Sequence, residues 1–108
     1  ARIQLLEDEK KRDIILPFFL GGIDFLLQQV DMQYEDNYQN IAQSVATDVF
    51  SKIFGVSHKS ADKFVTKGFE INCTDRGYEM LTLGGHSLLK WLQGDKVASM
   101  KLNELLRD

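Results

Sequence analysis

Three lysines recur at intervals of four residues in the middle of the chain, at Lys59, Lys63 and Lys67. At this spacing the side chains fall along one side of an α-helix, and a row of ammonium groups suits contact with the phosphates of a nucleic acid. Residues 49–68 hold four lysines and one aspartate, although the whole chain carries a net charge of −3. The local positive charge marks a candidate nucleic-acid surface, although the overall acidity of the chain disfavours non-specific binding to nucleic acids.

The other chemically reactive side chains do not form a catalytic or metal-binding pattern. His58 and His86 are the only histidines, and neither has a nucleophile or metal-ligand partner at a useful spacing. Cys73 alternates with Phe69 and Ile71, which predicts a buried small side chain and not a reactive thiolate. We therefore expect a protein that is not an enzyme and that uses no cofactor and no metal.

The composition indicates one soluble domain. A chain of 108 residues with 44% hydrophobic content can bury a single core. The lone cysteine cannot form an intramolecular disulfide, which favours the cytoplasm, or the nucleus in a eukaryote. The charged start, which begins with Ala1 and not Met, is unlike a signal peptide, and we expect a fragment or a trimmed chain.

An apolar stretch at residues 14–27 is shorter than the ~18–20 residues of a membrane-spanning helix, and Asp24 interrupts it. Pro17 and the pair Gly21–Gly22 weaken a helix there, so we expect a buried, partly broken core helix. This stretch and the C-terminal run "VASMKLNELL" offer more apolar surface than so small a core needs. One or both could form a homodimer interface.

Two helices joined by a tight turn are predicted next. Apolar side chains at spacings of three and four indicate a helix from Tyr38, with Asp36 or Asn37 as its cap. Gly55 suits the end of this helix, because glycine has no side chain and can adopt the left-handed backbone conformation of a helix C-terminus without a steric penalty. Ser57 is then a good N-cap for a second helix, "HKSADKFVTKG", which Gly68 would close.

The pattern then changes to that of a β-hairpin. Phe69, Ile71 and Cys73 alternate with polar residues, "TDRG" is a good turn sequence, and Tyr78 to Leu81 return as a second strand. We expect Arg76 near the tip of this hairpin. A helix restarts after the glycine pair at 84–85 and carries Trp91, an expected core residue, and residues 95–108 form another amphipathic helix.

This order of elements resembles a winged helix-turn-helix over roughly residues 46–92. Ser51 matches the small residue in the first helix of the motif. Gly55 matches the glycine that opens the turn, and Val56 matches the apolar residue that follows it. The segment after the predicted hairpin is similar to the run that often follows the wing, with Leu81, Thr82, Gly85, Leu88 and Leu89 in the matching positions.

The resemblance implies a mainly α fold with a small β-hairpin as its wing. It divides the single domain into an N-terminal helical extension at 1–34, a helix-turn-helix plus wing at 36–92, and a C-terminal helix at 95–108. The second helix of the motif would lie in the major groove of double-stranded DNA, with Arg76 on a phosphate or in the minor groove. The DNA-binding residues implied in this way are His58, Lys59, Ser60, Lys63, Lys67 and Arg76.

The expected function is sequence-specific DNA binding by a small transcriptional regulator, or by an accessory replication or partition factor. A homodimer formed through the terminal helices would suit two half-sites. The alternative is a protein–protein interaction adaptor that uses the same fold without binding DNA.

Overall fold

Five α-helices follow one another in the computed structural model, which describes residues 2–95 and 101–107. Short 3-10 helices at Arg2–Leu6 and Met32–Tyr34 precede and follow the first of them. These ranges contain no β-strand, so the predicted α+β winged-helix fold is wrong. The helices are α1 (Glu9–Gln29), α2 (Tyr38–Phe54), α3 (His58–Asn72), α4 (Asp75–Leu92) and α5 (Lys101–Leu105).

Helix α1 is the element around which the others pack, and it contacts α2, α3, α4 and α5. Asp8 caps its start by accepting hydrogen bonds from the backbone N–H groups of Lys10 and Lys11 at 2.9 and 3.4 Å. The expected break does not occur, because α1 continues through Pro17 and both glycines. Burial of one face against three other helices stabilises it despite these poor helix formers. The buried residues are Ile15, Leu16, Pro17, Leu20, Gly21, Ile23 and Leu27.

The predicted turn between α2 and α3 is confirmed. Gly55 ends α2 in the left-handed conformation with φ of 65°, and the hydroxyl of Ser57 accepts a bond from the N–H of Ser60 at 3.2 Å. Ser51 Oγ donates to the carbonyl of Val56 at 2.6 Å and ties the turn to α2. Local side-chain chemistry accounts for this corner, so its sequence was sufficient to predict it.

Helix α3 does not end at Gly68 as expected but continues to Asn72. A β-carbon at position 68 would lie 2.6 Å from Cδ1 of Leu20 on α1. Gly68 therefore permits close packing of two helices and does not terminate one.

The predicted β-hairpin at residues 69–81 is instead the end of α3, a tight corner and the start of α4. Thr74 caps α4 by accepting a bond from the N–H of Gly77 at 3.0 Å, so "TDRG" begins a helix and is not a hairpin turn. The apparent alternation of period two also fails at Cys73, which is exposed while Ile71 is buried. The inward-facing positions of α4 instead recur with helical spacing, at Gly77, Met80, Leu81 and Gly84.

The glycine pair at 84–85 lies in the middle of α4 and does not separate two elements. Near the C-terminus, the described residues of α5, Lys101–Leu105, lie within the predicted C-terminal helix. Val97 and Met100, which that prediction also included, lie outside the described residues.

The core is formed mainly by α1, α2 and α3, with Met80 of α4 fully buried beside them. Phe50 and Phe54 of α2 pack edge to face with ring centroids 5.6 Å apart, and Phe19 of α1 meets Phe54 in the same way at 6.2 Å. Over the described ranges, none of the helices has both the length and the apolar character needed to cross a membrane.

Candidate docking site

Glycines bring the backbones of α1 and α4 into direct contact. A β-carbon on Gly21 would overlap the carbonyl oxygen of Leu81, and one on Gly84 would overlap the carbonyl oxygen of Phe18. At Gly85 a β-carbon would lie 3.1 Å from the carbonyl oxygen of Gly21. Any larger residue at these positions would push the two helices apart, so the glycines set the distance between them.

An apolar groove of about 400 Å³ opens beside this contact. At Gly22, one residue beyond the close approach, a β-carbon would meet only ordinary contacts, the nearest at 3.7 Å. Helices α1 and α4 form its two walls, and single residues of α2 and α5 complete it. The lining residues are Phe18, Phe19, Gly22, Ile23, Leu26, Val49, Gly84, Ser87, Leu88, Trp91 and Leu102.

The lining determines which chemical groups the groove can accept. Ser87 is the only polar side chain among the lining residues, and none of them is charged. A charged or strongly polar group would lose its hydration there without gaining a partner. The volume lies within the range of about 300–1,000 Å³ that is usual for ligand sites in proteins. The groove is thus suited to large apolar side chains or to an apolar molecule.

Two large side chains at the groove remain accessible to solvent. Trp91 of α4 is 52% exposed and Leu26 of α1 is 48% exposed, so the expectation that Trp91 lies in the core is wrong. Exposed tryptophan next to exposed leucine is costly in water and is typical of surfaces that bind another molecule.

Helix α5 contributes Leu102 to the lining of the groove. Leu105 of α5 and Leu106, which directly follows the helix, lie beside Ile14 near the start of α1. All three leucines are half-buried, whereas Asn103 and Glu104 between them are exposed. A short amphipathic helix is therefore already seated along α1 at the edge of the groove.

The predicted DNA-contacting residues of α3 all lie on its exposed side. Lys59 and Lys63 make no ion pair with other residues in the part of the chain that the structure describes. Lys67, in contrast, lies 3.6 Å from a carboxylate oxygen of Glu70. Ser60 is held at the N-cap, since its N–H and hydroxyl both contact the hydroxyl of Ser57.

Acidic side chains also occupy this side of the molecule. His58 Nε2 lies 2.9 Å from Oδ1 of Asp48 on α2. Asp62, between the lysines in sequence, accepts a hydrogen bond of 2.8 Å from the side-chain amide of Gln43. The face is therefore of mixed charge, and it attracts phosphate less strongly than a continuous basic surface does.

Arg76 lies apart from the lysines of α3. It occupies the first turn of α4, where its guanidinium is 3.7 Å from Glu79 one turn later. Since this position is helical and not the tip of a hairpin, the structure provides no wing to carry Arg76 towards a minor groove.

A polar contact joins α1 to α2 on another side of the core. The hydroxyl of Tyr38 donates a hydrogen bond to Asp24, whose other carboxylate oxygen accepts one from Gln28 at 2.8 Å. Burial first, and then the hydrogen bond and the charge of Asp24, raise the pKa of Tyr38 well above its ordinary value. This pair stabilises the helix junction by a hydrogen bond that needs a neutral phenol.

The apolar excess of residues 14–27 was the main sequence signal for the groove, because α1 forms one of its walls, and the C-terminal run adds Leu102. The sequence did not indicate Ser87, and it assigned Gly22 and Trp91 other roles, the first as a weak point of a helix and the second as a core residue. Within the described ranges, no group of three or more His, Cys, Asp or Glu side chains is placed to hold a metal ion. Comparisons with known protein families, with curated proteins and with solved structures find no match to this chain.

Proposed function

We propose that this protein is a docking module whose groove between α1 and α4 binds an amphipathic helix of a protein partner. The observation that carries the proposal is the 400 Å³ apolar groove with Trp91 and Leu26 half-exposed at its sides. Tryptophan is among the residues that most often dominate the binding energy of protein interfaces, and an apolar groove is a common docking surface for the apolar face of an amphipathic helix.

A helix is the occupant that the geometry favours. Helix α5 of the chain itself lines the groove with Leu102, while Asn103 and Glu104 of the same helix are exposed. Two helices also form the groove walls, so an inserted helix can bury one row of large side chains while its backbone hydrogen bonds remain satisfied internally.

Trp91 provides a direct readout, because it is the only tryptophan in the chain and it lines the groove. The probe is a synthetic alanine-rich helical peptide, without tryptophan, that carries leucines at spacings of three and four residues. Its binding should shift the emission of Trp91 to the blue and saturate in the micromolar range. The same peptide with glutamine in place of leucine should leave the emission unchanged.

Two matched variants test whether the groove itself is the site. Leu26→Lys places a charge at the groove and should weaken binding at least ten-fold. Tyr78→Lys also replaces an exposed apolar residue, but Tyr78 lies on another side of α4, and binding should remain as in the native chain. Equal affinities of the two variants, or no change in Trp91 emission at high peptide concentration, would overturn the proposal.

Double-stranded DNA is the second candidate ligand, and a specific observation supports it. Lys59 and Lys63 are exposed and make no ion pair with another described residue, and their helix follows the capped turn at Gly55 and Ser57. Binding to mixed duplex DNA, followed by fluorescence anisotropy across a salt series, should weaken as salt increases. The Lys59→Glu/Lys63→Glu pair should abolish it, while Lys10→Glu/Lys90→Glu, which has the same net charge, should retain it. Equal effects of both pairs would indicate attraction by overall charge alone.

A further inference from the structure

We propose that α5 is a built-in competitor for the groove, and that the partner helix binds by displacing it. This inference rests on the docking function proposed above. It also specifies the partner, which should present leucines in the same pattern as Leu102 and Leu105 of α5 and Leu106 directly after it.

The first argument is the dependence of α5 on its contacts. None of the described residues of α5, Lys101–Leu105, is buried, and its leucines are only half-buried. The contacts that hold this segment are those with α1 and the contribution of Leu102 to the groove lining. Helices held by few and only half-buried contacts are among the first parts of a protein to open.

The second argument is that α5 uses only part of the site. Of its residues, Leu102 alone lines the groove, and about 400 Å³ stays open next to it. Trp91 and Leu26 keep about half of their surface in water although α5 is bound. A longer helix with the same leucine pattern could cover these two side chains as well, and would gain apolar burial that α5 does not obtain.

The third argument concerns the anchors outside the groove. Leu105 and Leu106 contact the surface near Ile14 and do not line the groove. Substitutions there can release α5 while the walls formed by α1 and α4 keep their residues. The release of α5 can therefore be tested by mutation in the full chain without changing the residues that form the walls of the groove.

The experiment compares the native chain with Leu105→Ser/Leu106→Ser. The probe is a synthetic peptide with the sequence of residues 96–108, KVASMKLNELLRD, which contains no tryptophan. Release of α5 should shift the emission of Trp91 to the red, and the peptide should bind the variant at least five-fold more tightly than the native chain. Asn103→Ser, at an exposed position of α5, should behave as the native chain does.

Two results would contradict the inference. If the peptide binds the native chain and the double variant equally, α5 does not compete, although the docking function still holds. If the double variant fails to bind the peptide while the native chain binds the leucine-bearing helical peptide, the groove prefers a pattern other than that of α5. Leu102→Ala provides a second test should the double variant unfold, because it shortens the one side chain of α5 that lines the groove and should also tighten peptide binding. Failure of every chain to bind either peptide would instead reject the docking function.

Discussion

Gly21 on α1 packs directly against the backbone carbonyl of Leu81 on α4, with no space for a side chain between them. Its neighbour Gly22 faces the groove, where a β-carbon would meet nothing closer than 3.7 Å. Two adjacent residues of the same type therefore have different roles. Gly21 sets the distance between the helices, and Gly22 leaves the groove open.

The two glycines should respond in opposite ways to alanine. Gly21→Ala forces the helices apart and should lower the free energy of unfolding by about 2 kcal/mol or more. Gly22→Ala reduces the entropy lost on folding and should raise it by about 0.5–1 kcal/mol. Urea unfolding followed by circular dichroism measures both. If Gly21→Ala is as stable as the native chain, α1 and α4 do not approach as closely as described.

Trp91 and Phe50 should differ sharply in their contribution to stability. Phe50 is fully buried in the core, so Phe50→Ala should cost about 3–5 kcal/mol. Trp91 is 52% exposed, and Trp91→Ala should cost less than about 1 kcal/mol. Thermal unfolding gives the stabilities, and acrylamide quenching of the native chain should show an accessible indole. A protected indole would place Trp91 in the core, as the sequence pattern predicted.

The cap at Thr74 tests the helical corner that replaces the predicted hairpin. Thr74→Ala removes the bond from the N–H of Gly77, together with the bond of 2.7 Å that the Thr74 hydroxyl donates to the carbonyl of Ile71, and should destabilise the protein by about 1 kcal/mol or more. Asn37→Ala is the matched control, because Asn37 occupies the N-cap of α2 without a side-chain capping bond. It should cost only a few tenths of this amount. Similar losses in chemical denaturation for both variants would argue against the cap at Thr74.

Tyr38 should make stability fall in alkaline solution. The folded state raises the pKa of Tyr38 above its ordinary value of 10.0, and therefore favours the protonated phenol. This stabilisation is fully present below about pH 10 and is lost as the pH rises beyond it. Tyr38→Phe should thus be less stable than the native chain at neutral pH, but its stability should decline less between about pH 10 and pH 12.

Tyr34→Phe serves as the control for that measurement, since Tyr34 is exposed and makes no side-chain contact with Asp24. Its stability should decline with pH as in the native chain. Parallel curves for Tyr38→Phe and the native chain would mean that the phenol of Tyr38 does not depend on its hydrogen bond to Asp24.

Much of the α2–α3 region could be predicted from sequence because its signals are local. Gly55 and Ser57 act on the backbone of their own turn, and the apolar spacing of α2 lies within one element. The candidate site could not be predicted in the same way. Its walls come from α1 and α4, more than fifty residues apart in sequence, and its opening depends on how closely Gly21 and Gly84 let those helices approach.

The amino-acid sequence by itself determined the helix from Tyr38, the left-handed end at Gly55 and the cap at Ser57, since these depend on short-range sterics and hydrogen bonds. Only the tertiary structure decided between hairpin and helix at residues 69–81. There, Gly77 and Gly84 pair with backbone carbonyls of neighbouring helices, and burial of that face outweighs the weak β propensity of the segment. The exposure of Trp91 was decided in the same way, because burial depends on which helix lies opposite, and α1 leaves a groove at that point.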